Sequence, residues 1–277
     1  MTLNKISKVF LFFRRDGRKI AEQQETRAFI TEKSRELGVK IVEDPDEIEG
    51  SDLVITVGGD GTFLAGASLA FERNIPIAGI NVGQLGFLAE INPGEKTMIT
   101  NLLKGDFDVK HRMMMDVRLI RENKEFAAFT ALNEVTIIRD MNVSPMLSFG
   151  IEYNGEEMPQ YKCDGLIAAT PAGSTAYNLS CNGPIIYPGD ESFVINAVAP
   201  HALTHRPIVL PASGSIKVTL KECVLGFLTC DGKNSVKVCE NDVVLIRRNG
   251  RDLSVVSNPE RSFFDILSER LHLGKRL

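Results

Sequence analysis

The apolar run Leu53-Val54-Ile55-Thr56-Val57 stops at Gly58-Gly59-Asp60-Gly61-Thr62, and a second apolar stretch, Phe63-Leu64-Ala65-Gly66-Ala67, comes directly after it. A short, uninterrupted apolar run reads as a strand buried on both faces, which calls for a parallel sheet covered by helices. The second stretch reads as a helix start, with Thr62 placed to cap it. Strand, glycine turn and helix N-terminus in succession make an anion-binding corner. Glycine lets the backbone come close to a ligand, and the unpaired N–H groups of a helix start face anionic oxygens. Gly58, Gly59, Gly61 and Thr62 are therefore candidate phosphate-binding residues. Asp60 does not suit that role: a carboxylate among such amides repels phosphate unless a metal intervenes or the acid does chemistry itself. The combination points to phosphoryl transfer, with Asp60 as the candidate catalytic group.

The surrounding chain repeats the alternation. Lys8–Phe13 is another apolar run, a charged stretch from Gly17 to Leu37 reads as a helix ending at Gly38, and Val39–Val42 and Ile75–Ile80 are further strands. Such alternation predicts an α/β domain with a mostly parallel open sheet over residues 1–108. Ligands of such sheets bind beyond the carboxyl ends of the strands. From about residue 110 the pattern changes. Ser215–Lys221 alternates polar and apolar residues, and Asn154-Gly155, Asp231-Gly232 and Asn249-Gly250 read as tight hairpin turns between strands. Residues 109–257 are expected to form an all-β, sandwich-like domain, and a helix over Ser262–Leu273 to bring 258–277 back onto the first domain. The fold class is α+β overall.

Composition narrows the function classes. A formal net charge of -4 over 277 residues gives no electrostatic reason to expect nucleic acid. No apolar stretch reaches membrane-spanning length and the first residues lack a signal-peptide core, so no membrane partner and a cytoplasmic location are expected. The five cysteines form no C-x-x-C pair and read as buried reduced thiols. No residue is assigned as a metal ligand. His201 and His205 are four apart, but no helix is expected between Pro200 and Pro207, and no acidic residue accompanies them.

Three more segments carry candidate chemistry. Asn81–Leu88 is a second glycine-containing turn after a strand; alone it fits an ordinary turn, while two such turns at successive strand ends fit one crevice. Asn133-Glu134 interrupts an apolar strand, so its charge either faces water from an edge or meets a partner such as a sugar hydroxyl or a metal. Asp164–Ser180 runs from a strand through Thr170-Pro171-Ala172-Gly173-Ser174-Thr175 into a helix start. Its small hydroxyl residues suit either a polar ligand or a simple N-cap.

Together, Gly58–Thr62, Asn81–Leu88, Asn133-Glu134, Asp164–Ser180 and His201–Pro211 resemble the NAD kinase family, in the family's order and over most of the chain. The resemblance implies two domains with NAD in a cleft, and phosphorylation of the 2′-hydroxyl of the adenosine ribose of NAD to give NADP. ATP is the implied donor, with Mg²⁺ or another divalent metal held mainly by nucleotide oxygens. It implies Asp60 as proton acceptor and Gly61 beside it as a substrate contact. Asn133, Glu134, Lys162, Asp164 and Ala199 are implied NAD-binding residues, Asp164 facing the nicotinamide end. Thr175, Ala176, Tyr177, Asn178, Leu179 and Ser180 form a further NAD-binding stretch, part of which reaches a neighbouring subunit's site. A homodimer or homotetramer with a shared active site is therefore expected. Ala172 stands where relatives carry Thr, and Lys233 where many carry Gln; neither is given a role. A lipid or sugar kinase sharing the glycine turn, and a non-catalytic NAD-binding module, are the alternatives. The first predicts an apolar acceptor pocket, and the second has no need for an acid at Asp60.

Overall fold

The computed structural model describes residues 5–14, 20–83 and 86–272. The chain divides into two units, Met1–His111 with Leu253–Leu277, and Arg112–Asp252.

In the first unit β1 (Lys8–Phe13), α1 (Ile20–Leu37), β2 (Lys40–Val42), β3 (Leu53–Val57), α2 (Asp60–Glu72), β4 (Ile77–Ile80), α3 (Lys96–Lys104) and β5 (Val109–Arg112) succeed one another in order. The expected start of α1 at Gly17, Gln84-Leu85 within the second turn, and the expected helix end at Leu273 lie outside the described residues. The sheet order is β2-β1-β3-β4, then Leu253–Val256, then β5. β3 is buried at every position because it is flanked by β1 and β4 and covered on its faces. Val9, Leu11, Leu53, Ile55, Ile80 and Ile99 are among the side chains of its core. Register positions the candidate site: Phe13 pairs with Val57 and Val57 with Ile80, so the turns after β3 and β4 leave the sheet side by side.

Two strands of this sheet come from the segment expected to be all-β. β5 lies past residue 108, and Leu253–Val256 pairs in parallel with β4 through Val255 and Ile77. The boundaries expected at 108/109 and 257/258 are thus displaced to 111/112 and 252/253. Asn249-Gly250 is accordingly not a hairpin turn, since the strands on either side of it belong to different sheets. Asn249 instead donates its backbone N–H to Met114 and its side-chain amide to Asp116. The helix Phe263–Leu271 forms as expected, with Ser262 and Asp265 capping each other's backbone.

The second unit contains β6 (Met115–Arg121), β7 (Lys124–Ala131), β8 (Glu134–Arg139), β9 (Leu147–Tyr153), β10 (Glu156–Glu157), β11 (Tyr161–Ala169), α4 (Tyr177–Ser180), β12 (Ser192–Pro200), β13 (Ile208–Pro211), β14 (Ile216–Glu222), β15 (Gly226–Cys230), β16 (Lys233–Val238) and β17 (Val243–Arg248). Its strands pair in the order β16-β15-β8-β11-β9-β14-β17-β6-β7, with β10 beside β9 and β12 and β13 branching from β11. The pairings along this path are antiparallel. Inward-facing residues of the two ends, such as Val117 and Val244 against Leu166 and Leu228, share one core, which gives the sandwich-like form. Asn154-Gly155 and Asp231-Gly232 make tight turns with both residues in the left-handed region.

Candidate active site

Gly59 caps α2, and the helix begins at Asp60. Thr62 is therefore inside the first turn and does not cap it; its buried side chain packs on Gly58, where a Cβ would meet Thr62 Oγ1 at 2.4 Å. Among the described residues, a Cβ on Gly59 or Gly61 would meet nothing within 4 Å beyond its chain neighbours and its own helix. The first N–H groups of a helix have no partner within it. This is the arrangement expected of an anion site.

Asp60 is tied to the second turn. Its carboxylate accepts the backbone N–H of Phe87 at 3.0 Å, of Leu88 at 3.1 Å and of Ala89 at 3.2 Å. The loop comes close because Gly86 lacks a side chain: a Cβ there would lie 2.0 Å from Asp60 Oδ1. The two glycine turns thus meet, and one holds the acid of the other in a single orientation. Amide dipoles of the second turn stabilise the negative charge of Asp60.

In the second unit, Asn133-Glu134 leads into β8 and is buried, with 5% and 8% exposure. Asn133 Oδ1 and Glu134 Oε2 have no hydrogen-bond partner among the described residues. Buried acceptors left without donors are costly and rare in native proteins, and each calls for a water, an ion or a ligand to satisfy it. The expectation that this charge might lie on a solvent-facing edge does not hold: β8 runs between β15 and β11. Burial first, and then the charge of Asp231, push the Glu134 carboxyl up to about 7, against a lowering contribution from the Tyr177 backbone N–H. A buried acid displaced in this way makes Glu134 a candidate functional group.

The backbone here is clasped from two directions. Asp231, in the turn between β15 and β16, accepts the N–H of Leu132 at 2.8 Å, Asn133 at 2.8 Å and Glu134 at 3.1 Å, and returns its own N–H to the Glu134 carbonyl at 3.0 Å. Thr170 donates its N–H to the Asn133 carbonyl at 2.8 Å and its hydroxyl to the Leu132 carbonyl. Gly173 lies against the same peptide, where a Cβ would be 2.1 Å from the Asn133 carbonyl oxygen. Gly173→Ala is expected to destabilise the protein by about 1–2 kcal/mol through this overpacking, read as a lowered melting midpoint. In the sequence Asp231 reads as a turn residue, in a run where many of the resembled family carry Asp-Gly-Gln, and has no role assigned.

The segment from Ala172 forms a short 3₁₀ turn, Ala172–Thr175, and then α4. The structure separates its residues. Asn178 is fully buried; its amide donates to the Ser174 and Pro184 carbonyls at 3.1 Å each, and its oxygen accepts Asn196 at 3.1 Å. Its side chain therefore ties the loop together. Thr175, Ala176 and Leu179 are half-buried, while Tyr177 and Ser180 are exposed. Ala172 is buried, so the hydroxyl it lacks belonged to an enclosed position.

On β11, the pairings Cys163 to Pro200 and Gly165 to Val198 put Asp164 opposite Ala199. Ala199 has φ 46°, an unusual conformation for alanine. Asp164 accepts Arg139 Nε at 2.7 Å, and Arg139 also donates to the Ser144 carbonyl. Arg139 has no signal of its own in the sequence. Lys162 is exposed and 3.4 Å from Glu222. His205 stacks on the buried Tyr161 at 4.6 Å, and Arg206 donates to the Leu203 and His205 carbonyls. Among the described residues no three His, Cys, Asp or Glu side chains gather as a metal cage. Cys163, Cys223 and Cys230 are buried, and burial pushes the first two thiols up to about 12 and about 11, as for inert packed sulfur. No helix among the described residues is long and apolar enough to cross a membrane.

Residues 14–107 match the family model described as the ATP-NAD kinase N-terminal domain, and residues 132–257 match the ATP-NAD kinase C-terminal domain. Among curated proteins, the NAD kinase of Magnetococcus marinus is 39% identical over 81% of this chain and 74% of its own length. The NAD kinase of Aquifex aeolicus is 36% identical over 80% of this chain and 82% of its own. Among solved structures, yeast NADH kinase complexed with NADH superposes with TM-score 0.87 at 22% identity, covering 99% of this chain and 90% of the other. An NAD kinase from Archaeoglobus fulgidus in complex with ATP superposes with TM-score 0.76 at 25% identity, covering 94% and 99%.

Proposed function

The chain belongs to the ATP-NAD kinase family, and on that premise we propose that it transfers the γ-phosphoryl group of ATP to the 2′-hydroxyl of the adenosine ribose of NAD, giving NADP. The observation that carries the acceptor is the pair of buried, partnerless oxygens, Asn133 Oδ1 and Glu134 Oε2. A nucleoside supplies donors to both, from ribose hydroxyls and an exocyclic amine. An apolar lipid would leave them unpaired, which discriminates strongly against it. The ATP held by the Archaeoglobus relative supports the donor.

A ribose hydroxyl is a weak nucleophile, and Asp60 is the proton acceptor in this reading. A carboxylate has about four lone-pair sites. Three accept the amides of Phe87, Leu88 and Ala89, which leaves about one for the substrate hydroxyl. Gly59 and Gly61 leave room at the α2 N-terminus for phosphates, with Gly58 and Thr62 shaping the turn behind them. Asn133 and Glu134 hold the NAD nucleoside, and Asp164, kept in place by Arg139, serves the nicotinamide end. Thr175–Leu179 contribute mainly through backbone, with the exposed Ser180, Lys162 and Ala199 at the margin. The stretch around α4 serves a shared site in a homodimer or homotetramer. A divalent cation such as Mg²⁺ would neutralise phosphate charge. Such an ion would be held mainly by nucleotide oxygens.

The test is incubation of the purified protein with NAD, ATP and Mg²⁺, with NADP read by an NADP-specific dehydrogenase and the phosphate position by phosphorus NMR. ATP hydrolysis without NADP, or phosphate on another hydroxyl, would overturn the proposal. Gly86→Ala, which drives a methyl group into the Asp60 carboxylate, is expected to lower kcat about 100-fold, the scale of a 1 Å misplacement of a reacting group. Unchanged steady-state kinetics in a folded Gly86→Ala protein would show that the loop does not position Asp60.

A further inference from the structure

We propose that Asp231 is the positioning residue of the nucleoside site, holding the Leu132–Glu134 backbone so that Asn133 Oδ1 and Glu134 Oε2 present their acceptors together. The proposal rests on the NAD-binding role of Asn133 and Glu134. Asp231 accepts three consecutive amides and touches the two acceptor side chains only through their backbone. Such a clasp is what a pair of adjacent residues needs if one acceptor oxygen of each is to be aimed with no partner among the described residues. Without it, the strand start is free to rotate either residue toward water.

Charge adds a second consequence. The groups acting on Glu134 are Asp231 from the β15–β16 turn and the Tyr177 N–H from α4. Glu134 in turn acts on the Cys230 thiol at the end of β15. Lys233 acts on Asp231. Burial lifts the Asp231 carboxyl as well, but three amides favour its charged form, against the single N–H on Glu134. The proton that this pair keeps near neutral pH therefore sits on Glu134. Ribose hydroxyls favour the ionised form as acceptor, so NAD binding releases that proton and the affinity rises with pH through about 7.

Asp231→Asn retains a residue that tolerates the left-handed turn, and loses both the charge and one acceptor. The expected result is a KM for NAD raised about tenfold with kcat changed less than twofold, and a pH midpoint of NAD affinity lower than in the wild type. Asp231→Ser, too short to reach the amides, raises KM further. A role confined to folding would lower the melting midpoint and leave the pH midpoint of the folded protein in place. An unchanged KM and pH midpoint in folded Asp231→Asn would overturn the proposal. A second measurement needs no variant: calorimetry of NAD binding to the wild type at pH 7, in two buffers of different ionisation enthalpy, is expected to show proton release. No release would refute the charge coupling. If the wild type binds no NAD, the functional reading itself fails; normal NAD binding with an indifferent Asp231 variant sinks this inference alone.

Discussion

Replacing Asp60 with Asn is expected to lower kcat for NADP formation by about 1,000-fold while the dissociation constant for NAD changes by less than a few-fold. General-base assistance is worth roughly 10²–10⁴ in rate, and the amide of Asn has no basic oxygen to take a proton as the phosphoryl group moves. The structure adds a second expectation. Asp60 Oδ1 accepts Leu88 and Ala89, and Oδ2 accepts Phe87. In Asn one of those positions becomes an NH₂ group facing an N–H donor. The variant should therefore also lose about 1–3 kcal/mol of stability, seen as a lower urea midpoint. The two effects are separable, because a protein that remains folded in the assay loses turnover through chemistry alone. Near-normal kcat in the folded variant would remove Asp60 from the proton transfer.

Glu134→Gln is expected to do the opposite to stability. The folded-state pKa of Glu134 is raised from 4.5 to about 7. The folded protein thus binds this proton more tightly than the unfolded chain, and the stability associated with it is fully present below about pH 4.5. It declines as pH rises and is lost above about 7, where the folded protein must hold a buried carboxylate. At about 1.4 kcal/mol per unit, the ionised form costs on the order of 3 kcal/mol at pH 8. A neutral isostere avoids most of that. Glu134→Gln should gain about 2 kcal/mol at pH 8, raise the melting midpoint by roughly 5 °C, and gain almost nothing at pH 4. The same change should weaken NAD binding at pH 8 by about 10- to 100-fold, since a hydrogen bond to a charged acceptor is worth about 1.5–3 kcal/mol. Equal stability of the two proteins at pH 8, measured without ligand, would show that Glu134 is not held at a cost. A residue whose removal stabilises the empty protein and weakens its ligand is there for the ligand.

The local features of both turns are legible in the sequence because their causes are local. A strand buried on two faces shows as an apolar run, and glycines before a helix show as a turn. Asp231-Gly232 is legible as a hairpin for the same reason. What that aspartate does is not. Its partners lie 97 to 99 positions away, and nothing in a dipeptide indicates which backbone its carboxylate will meet. Thr62 shows the limit even at short range, since the helix starts two residues before it and Gly59 takes the capping position. Asn178 enters as a ligand contact through the family resemblance, and its sequence neighbours do not show where its side chain goes. Close packing with Gly183 and Asn196 turns it inward. The Leu253–Val256 strand reads as part of the β-rich unit, because a parallel partner such as β4 leaves no mark on the sequence next to it.

From the sequence alone came the chemical inventory: a phosphate turn with an acid in it, an Asn-Glu pair inside an apolar strand, and a hydroxyl-rich segment in the order of one kinase family. Composition and periodicity suffice for that, since strand and turn formation leave their marks over a few residues. Only the tertiary structure decided how the acids are held. Asp60 and Asp231 each accept three backbone amides from a distant loop, and Glu134 keeps an oxygen without a partner among the described residues. Hydrogen bonds across 27 to 99 positions depend on which loops the sheets bring together, and that is a property of strand register in the folded chain.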